Sequence, residues 1–146
     1  RGAGIFSGRL RSQLKRIGDV IEQLTAQGQD IRQNPLLVSR FGELCADLDS
    51  FEMMELRIMG ALQPGQNPGP VSSILKLRNS RMKQAIAEFG AEVLGHEGQR
   101  WRAGEVDTDD LSSVLIPDYL NSRAFTIFGG ASEVQLSIIA KSVVGV

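Results

Sequence analysis

The chain of 146 residues has the length of one domain, and its 16 basic and 17 acidic residues exclude the strong single-sign field that nucleic acids or anionic membranes require. One cysteine, Cys45, and one histidine exclude an internal disulfide and a Cys₂His₂ or Cys₄ zinc site, and we expect no metal site. The single cysteine favours a reducing, cytoplasmic setting. No apolar run approaches the length of about eighteen residues that a membrane span needs, and no signal-peptide pattern opens the chain, so we expect a soluble protein.

The first predicted helix begins near Phe6. Apolar residues recur every three or four positions from Phe6 to Leu24, which places them on one helical stripe, and Gly28 is suited to end the helix. Arg1 is not Met and the helical pattern begins almost at once. We therefore interpret Arg1 as a fragment boundary.

A second, long helix is predicted after Asn34 and Pro35. Asn34 suits the N-cap and Pro35 the first turn, where the missing proline N–H would have no partner anyway. The apolar stripe then continues to Leu62. The three prolines and two glycines within 64–70 predict an interhelix loop.

Three more helices are predicted in the second half. A third apolar stripe runs from Val71 to Val93 and ends at the glycines of 94–98. Residues 99–113 are polar and acidic, which indicates an exposed, mobile loop. Two shorter helices follow, over 116–127 and 132–143. Short connections between long helices, without any alternating strand pattern, predict an all-α, up-down four-helix-type bundle with five helices.

Most ionisable candidates have a plain structural interpretation. His96 lies between glycines at a helix end, where a surface or capping role is favoured over a base or a metal ligand. Cys45 has no neighbouring basic partner and is expected to fill core space. Four acids of the second helix could pair with Arg57 and other bases, but a solvated face opposite the apolar stripe is the favoured interpretation: Asp47, Asp49, Glu52 and Glu55.

The glycine pair Gly129–Gly130 has two interpretations. Two glycines expose backbone N–H groups ahead of a new helix, whose positive N-terminal end favours anionic or polar ligands. The alternative is a tight interhelix turn, with Ser132 as the N-cap of the last helix and Glu133 in its first turn.

The wider string from Tyr119 to Lys141 resembles the C-terminal motif of the acyl-CoA dehydrogenases. Residues 123–141 match the pattern R-x-x-T-I-x-G-G-T-S-E-I-Q followed by I-I-A-[KR] at nearly every position. Residues 69–77 are similar to the G-P-x-x-S-x-x-K-L helix start of that family, and the Leu94-Gly95-x-x-Gly98 step agrees as well. The resemblance covers nearly the whole chain, as the family's helical C-terminal domain.

This resemblance implies that residues 1–146 are the C-terminal helical bundle domain of a longer chain. The N-terminal helical and middle β domains of that chain are absent from this sequence. It implies FAD as cofactor, an acyl-CoA substrate of fatty acid metabolism oxidised to a trans-2-enoyl-CoA, an electron-transfer acceptor, and a homodimer, homotetramer or heterotetramer. The residues that it places near the flavin, some of them from a partner subunit, are Glu92, Gly95, His96, Gly129, Gly130, Ala131 and Glu133.

The chain also departs from the family pattern. Gly129 stands where many members carry the glutamate that removes the substrate proton, and a second subgroup places that base at or before Arg1, so no catalytic residue is predicted within the chain. Only Gly28 remains of an R-x-x-F-G flavin motif, and Glu92, Gly95 and His96 occupy the places of Q-x-x-G-G. The departures leave a second interpretation open, a non-catalytic oligomerisation subunit or interaction module that has lost flavin binding.

Overall fold

The computed structural model describes residues 6–63, 66, 68–100 and 111–145, and within these ranges it contains five α-helices and no strand. The helices are α1 (Ser7–Ala26), α2 (Pro35–Gly60), α3 (Val71–Val93), α4 (Leu115–Ser122) and α5 (Ser132–Ile139). Short 3₁₀ turns lie at Ile31–Gln33, Glu97–Gln99, Leu111–Val114 and Arg123–Thr126, and a π turn at Ala140–Val144 extends α5. The predicted all-α bundle with five helices, the last two short, is confirmed.

The ends of the long helices follow the residues that the sequence offers. The Asn34 side chain accepts a hydrogen bond of 3.1 Å from the backbone N–H of Leu36, and Pro35 opens α2 as predicted. Gly28 has a φ of +90°, a left-handed conformation that glycine adopts without strain, just beyond the end of α1. The local chemistry of capping therefore sets these boundaries.

Helix α3 is the centre of the bundle and packs against each of the other four helices. The start of α1 lies at the end of α2, where Phe6 contacts Glu55, so these two helices are antiparallel. Phe41 of α2 packs on Phe89 near the end of α3, with ring centroids 5.9 Å apart. The up-down arrangement brings the starts of α1 and α3 to the same end of the bundle.

The predicted stripes form one aliphatic core with few aromatic rings. Phe51 of α2 and Ile86 and Phe89 of α3 are completely buried. The remainder of the buried cluster comes from α1, α2, α3 and the start of α4: Leu10, Leu14, Ile17, Val20, Leu44, Leu48, Leu75, Met82, Val93 and Leu115. Burial of these side chains supplies the main stabilisation of the fold.

Each of the two predicted loops is described only in part. Residues 101–110 of the predicted mobile loop, and Pro64, Gly65 and Asn67 of the predicted interhelix loop, lie outside the described residues. At the C-terminal end of the predicted mobile loop, Leu111–Val114 forms a 3₁₀ turn. Val114 packs against the core there and Leu115 is buried, which ties the segment down. Among the described helices, none is both long and apolar enough to cross a membrane.

Candidate functional site

The glycine pair lies in the connection between the 3₁₀ turn at Arg123–Thr126 and α5. Gly129 has a φ of +67° and Gly130 a φ of +106°, both in the region that side chains disfavour. A Cβ added at Gly129 would meet no atom within 4 Å, whereas a Cβ at Gly130 would overlap Nε2 of Gln135. Backbone conformation thus favours glycine at both positions, and a larger residue at Gly130 would also have to displace the Gln135 side-chain amide.

The backbone N–H groups of this connection are available to a ligand. In the part of the chain that the structure describes, no acceptor is hydrogen-bonded to the N–H of Gly129, Gly130 or Ala131. They lie at the N-terminal end of α5, where the helix dipole adds positive potential. Because these three successive N–H groups are free and the two glycines have no side chain to cover them, they suit the oxygen acceptors of a phosphate or a sugar.

Ser132 does not cap α5, which corrects one interpretation of the sequence. The N-cap is Ala131, without a side-chain hydrogen bond, and Ser132 is the first helical residue. The Ser132 hydroxyl instead donates a hydrogen bond of 3.4 Å to the Thr126 carbonyl. The start of α5 therefore keeps its N–H groups free of protein side chains.

Lys76 of α3 reaches across to this connection. Its Nζ donates hydrogen bonds to the carbonyls of Gly130, at 2.6 Å, and Phe125, at 3.2 Å. Burial lowers the pKa of Lys76, and the nearby Glu133 carboxylate, exposed in the first turn of α5, partly opposes that effect. One half-buried ammonium group thus anchors both ends of the segment 125–130 to α3.

Other α3 side chains hold the preceding residues. Gln84 donates through Nε2 to the carbonyls of Ser122, at 3.0 Å, and Arg123, at 3.2 Å. The Arg123 guanidinium returns a hydrogen bond of 3.2 Å to the Gln84 carbonyl and lies 4.7 Å from the centre of the Tyr119 ring. Arg123, the arginine of the motif, therefore helps to hold the residues before the glycine connection against α3.

The remaining predicted flavin contacts lie at the far end of α3. Lys76 and Glu92 are separated by sixteen residues of helix, which is about 24 Å at 1.5 Å per residue. Glu92 pairs with Arg40 at 3.2 Å, Gly95 has a φ of +56°, and His96 is exposed. Within one chain, Glu92, Gly95 and His96 are thus not brought together with Gly129, Gly130, Ala131 and Glu133.

Glu55 was misassigned to the solvated face of α2. The residue is only 2% exposed, and its carboxylate accepts hydrogen bonds from the backbone N–H groups of Phe6, at 2.6 Å, and Ser7, at 3.1 Å. The sequence did carry a signal, because Glu55 continues the core spacing of Leu48 and Phe51.

The other acids of α2 lie toward the surface, and Cys45 lies at the margin of the core. Asp47 and Asp49 are exposed, and Asp49 and Glu52 both pair with Arg11 of α1 rather than with Arg57. Cys45 packs at the margin of the core as predicted, and burial raises the pKa of its thiol. Among the described residues, no group of three or more His, Cys, Asp or Glu side chains could hold a metal ion.

Comparison with known proteins agrees with the sequence motifs. Residues 3–144 match the family described as "Acyl-CoA dehydrogenase, C-terminal domain". The chain is 28% identical over 129 residues to the acyl-CoA dehydrogenase FadE34 of Mycobacterium tuberculosis, covering 88% of this chain and 17% of that protein. It is 31% identical over 112 residues to the acyl-CoA dehydrogenase IpdE1 of Mycolicibacterium smegmatis, covering 77% of this chain and 26% of that protein.

The chain spans only 17% and 26% of the length of these two relatives. No solved structure matches the chain at a significant level.

Proposed function

The chain belongs to the acyl-CoA dehydrogenase family, as its C-terminal domain, and we propose that it completes a longer FAD-dependent enzyme that oxidises a fatty acyl-CoA to a trans-2-enoyl-CoA. The N-terminal helical and middle β domains of that enzyme would precede residues 1–146. A cytoplasmic location suits a chain whose single cysteine, Cys45, is free.

The open glycine connection is the observation that supports flavin binding. The free N–H groups of Gly130 and Ala131 suit the phosphate or ribose side of FAD, and the space beside Gly129 lets the backbone approach closely. The chemistry that FAD supplies when bound is acceptance of a hydride. In this proposal Glu133 lies beside the same ligand, in the first turn of α5.

A second copy of the chain would supply the remaining contacts. Because Glu92, Gly95 and His96 lie about 24 Å along α3 from the glycine connection, they fit a flavin held mainly by a partner subunit. The ion pair with Arg40 turns the Glu92 carboxylate toward α2 and offsets its charge. The proposed flavin site is therefore shared between subunits.

The base that removes the substrate proton is proposed to precede Arg1. Gly129 has no side chain to take a proton, and a carboxylate near the start of α1 would lie at the same end of the bundle as Lys76 and the glycine connection. Activity then requires residues beyond this chain.

Anaerobic mixing of the full-length protein with saturated acyl-CoAs tests this function. We expect loss of the visible flavin absorbance and formation of the corresponding enoyl-CoA, detected by mass spectrometry. Flavin that stays oxidised with short, long, branched and steroid-like acyl-CoAs would contradict the proposed activity.

The second candidate is a non-catalytic oligomerisation subunit. It is favoured by glycine at position 129 and by the retention of only Gly28 from the R-x-x-F-G motif. Such a subunit, purified without its partner, would be colourless, whereas a flavoprotein absorbs visible light.

We predict that the 146-residue chain self-associates. Ile127 and Phe128 are 68% and 59% exposed, and Val134 and Leu136 of α5 are also exposed, so apolar side chains face solvent on both sides of the glycine connection in the sequence. Sedimentation should show dimers or larger species, and Phe128→Asp should shift them toward monomer. The control Ser12→Asp, at an exposed position of α1, should not. A wild-type chain that stays monomeric at high concentration would refute this prediction.

A further inference from the structure

The hydrogen bonds of Lys76 fix the orientation of the peptide group after Gly130 as well as the position of the glycine connection. Lys76 donates to a carbonyl 54 residues away, Gly130, and to a second carbonyl 49 residues away, Phe125. Gly130 has a φ of +106° and no side chain, so its own conformational preferences leave the orientation of the following peptide group poorly defined. A charged donor on its carbonyl fixes that orientation.

The planarity of the peptide bond carries this constraint to the ligand side. No described peptide bond is cis, so the Gly130 carbonyl and the Ala131 N–H point in opposite directions. With Lys76 bound to the carbonyl, the Ala131 N–H points away from Lys76, and no described residue accepts a hydrogen bond from it. The ammonium group also polarises the peptide and strengthens its N–H as a donor.

We propose that Lys76 is a positioning residue for the flavin nucleotide, which it serves by holding the Gly130 carbonyl so that the Ala131 N–H is aimed at an acceptor oxygen of the cofactor. This inference rests on the proposed function, because it needs a flavin at the glycine connection. Lys76 itself contacts the protein backbone rather than the cofactor.

Lys83 provides a matched control on the same helix. Its Nζ lies 3.7 Å from the centre of the Phe125 ring, and burial lowers its pKa as it does that of Lys76. Within the described residues, Lys83 donates no hydrogen bond to the glycine connection. Lys83, which only packs α3 against Phe125, can therefore be compared with Lys76, which orients the peptide group after Gly130.

The test compares Lys76→Met, Lys76→Arg and Lys83→Met in the full-length protein. Flavin content, the Kd of each apoprotein for FAD by fluorescence quenching, and the thermal unfolding of each apoprotein are measured. We expect Lys76→Met to raise the Kd for FAD by about tenfold or more, because one well-placed donor is misdirected. The loss of its two hydrogen bonds should also lower the unfolding temperature, so the titration is done at a temperature at which each apoprotein stays folded. Lys76→Arg, which keeps a charged donor, should restore most of the affinity, and Lys83→Met should match wild type.

Two outcomes separate failure of this inference from failure of the proposed function. A wild-type protein that does not bind FAD removes both proposals. A wild-type protein that binds FAD, together with a Lys76→Met variant of equal affinity, overturns the role of Lys76 alone, as would equal losses in Lys76→Met and Lys83→Met. If Lys76→Met does not fold, Lys76→Gln takes its place with the same expected rise in Kd, because its amide lacks both the charge and the length of the lysine side chain.

Discussion

Replacing Gly130 with valine is expected to abolish flavin retention by the full-length protein. A β-branched residue at a φ of +106° is strained by about 1–3 kcal/mol, and its Cβ would overlap Gln135 Nε2. The Gln135 amide can move aside, but relief of the backbone strain shifts the loop and moves the N–H groups of Gly130 and Ala131. The measurement is the ratio of visible to ultraviolet absorbance after purification.

Gly42→Val is the control for this experiment. Gly42 lies within α2, has a negative φ, and would place a Cβ within 4 Å of no atom outside its own helical surroundings. Because valine has a slightly higher helix propensity than glycine, the substitution should change the stability of α2 by about 0.5 kcal/mol or less, in the stabilising direction, and flavin should be retained. Unchanged flavin content in Gly130→Val would refute the role of the glycine connection.

Replacing Glu55 with alanine is expected to lower the free energy of unfolding by about 3 kcal/mol, because two charge-assisted hydrogen bonds are lost and buried donors are left unpaired. The N–H groups of Phe6 and Ser7 lie at the start of α1, where no preceding helical carbonyl is available to them. Urea denaturation followed by circular dichroism measures the change.

Glu52→Ala is the matched control for Glu55→Ala. Glu52 lies on the same helix but is partly exposed and pairs with Arg11 at the surface, so its removal should cost no more than about 1 kcal/mol. Equal destabilisation by the two substitutions would contradict the capping role of Glu55.

The helices were predictable because local chemistry determines them. Asn34 and Pro35 define the start of α2, and the spacing of Leu44, Leu48 and Phe51 predicted its buried face correctly. These features depend on residues within one or two turns of each other, which a sequence displays directly.

The long-range hydrogen bonds of Lys76 and Glu55 were not predictable in the same way. The glycine pair was identified from its motif, but the Lys76 contact joins residues 54 positions apart and depends on how α3 packs beside the loop. Glu55 looked like one of several surface acids, although its position in the apolar stripe indicated burial. Both residues act through backbone groups of distant elements, and hydropathy patterns carry no information on such partners.

The visible absorption spectrum of the full-length protein, expressed and purified without any partner, tests the central claim most directly. If the backbone at Gly129 and Gly130 admits a flavin nucleotide, the spectrum shows oxidised flavin bands at about one FAD per chain. A colourless protein that also fails to take up FAD from excess cofactor would contradict the account.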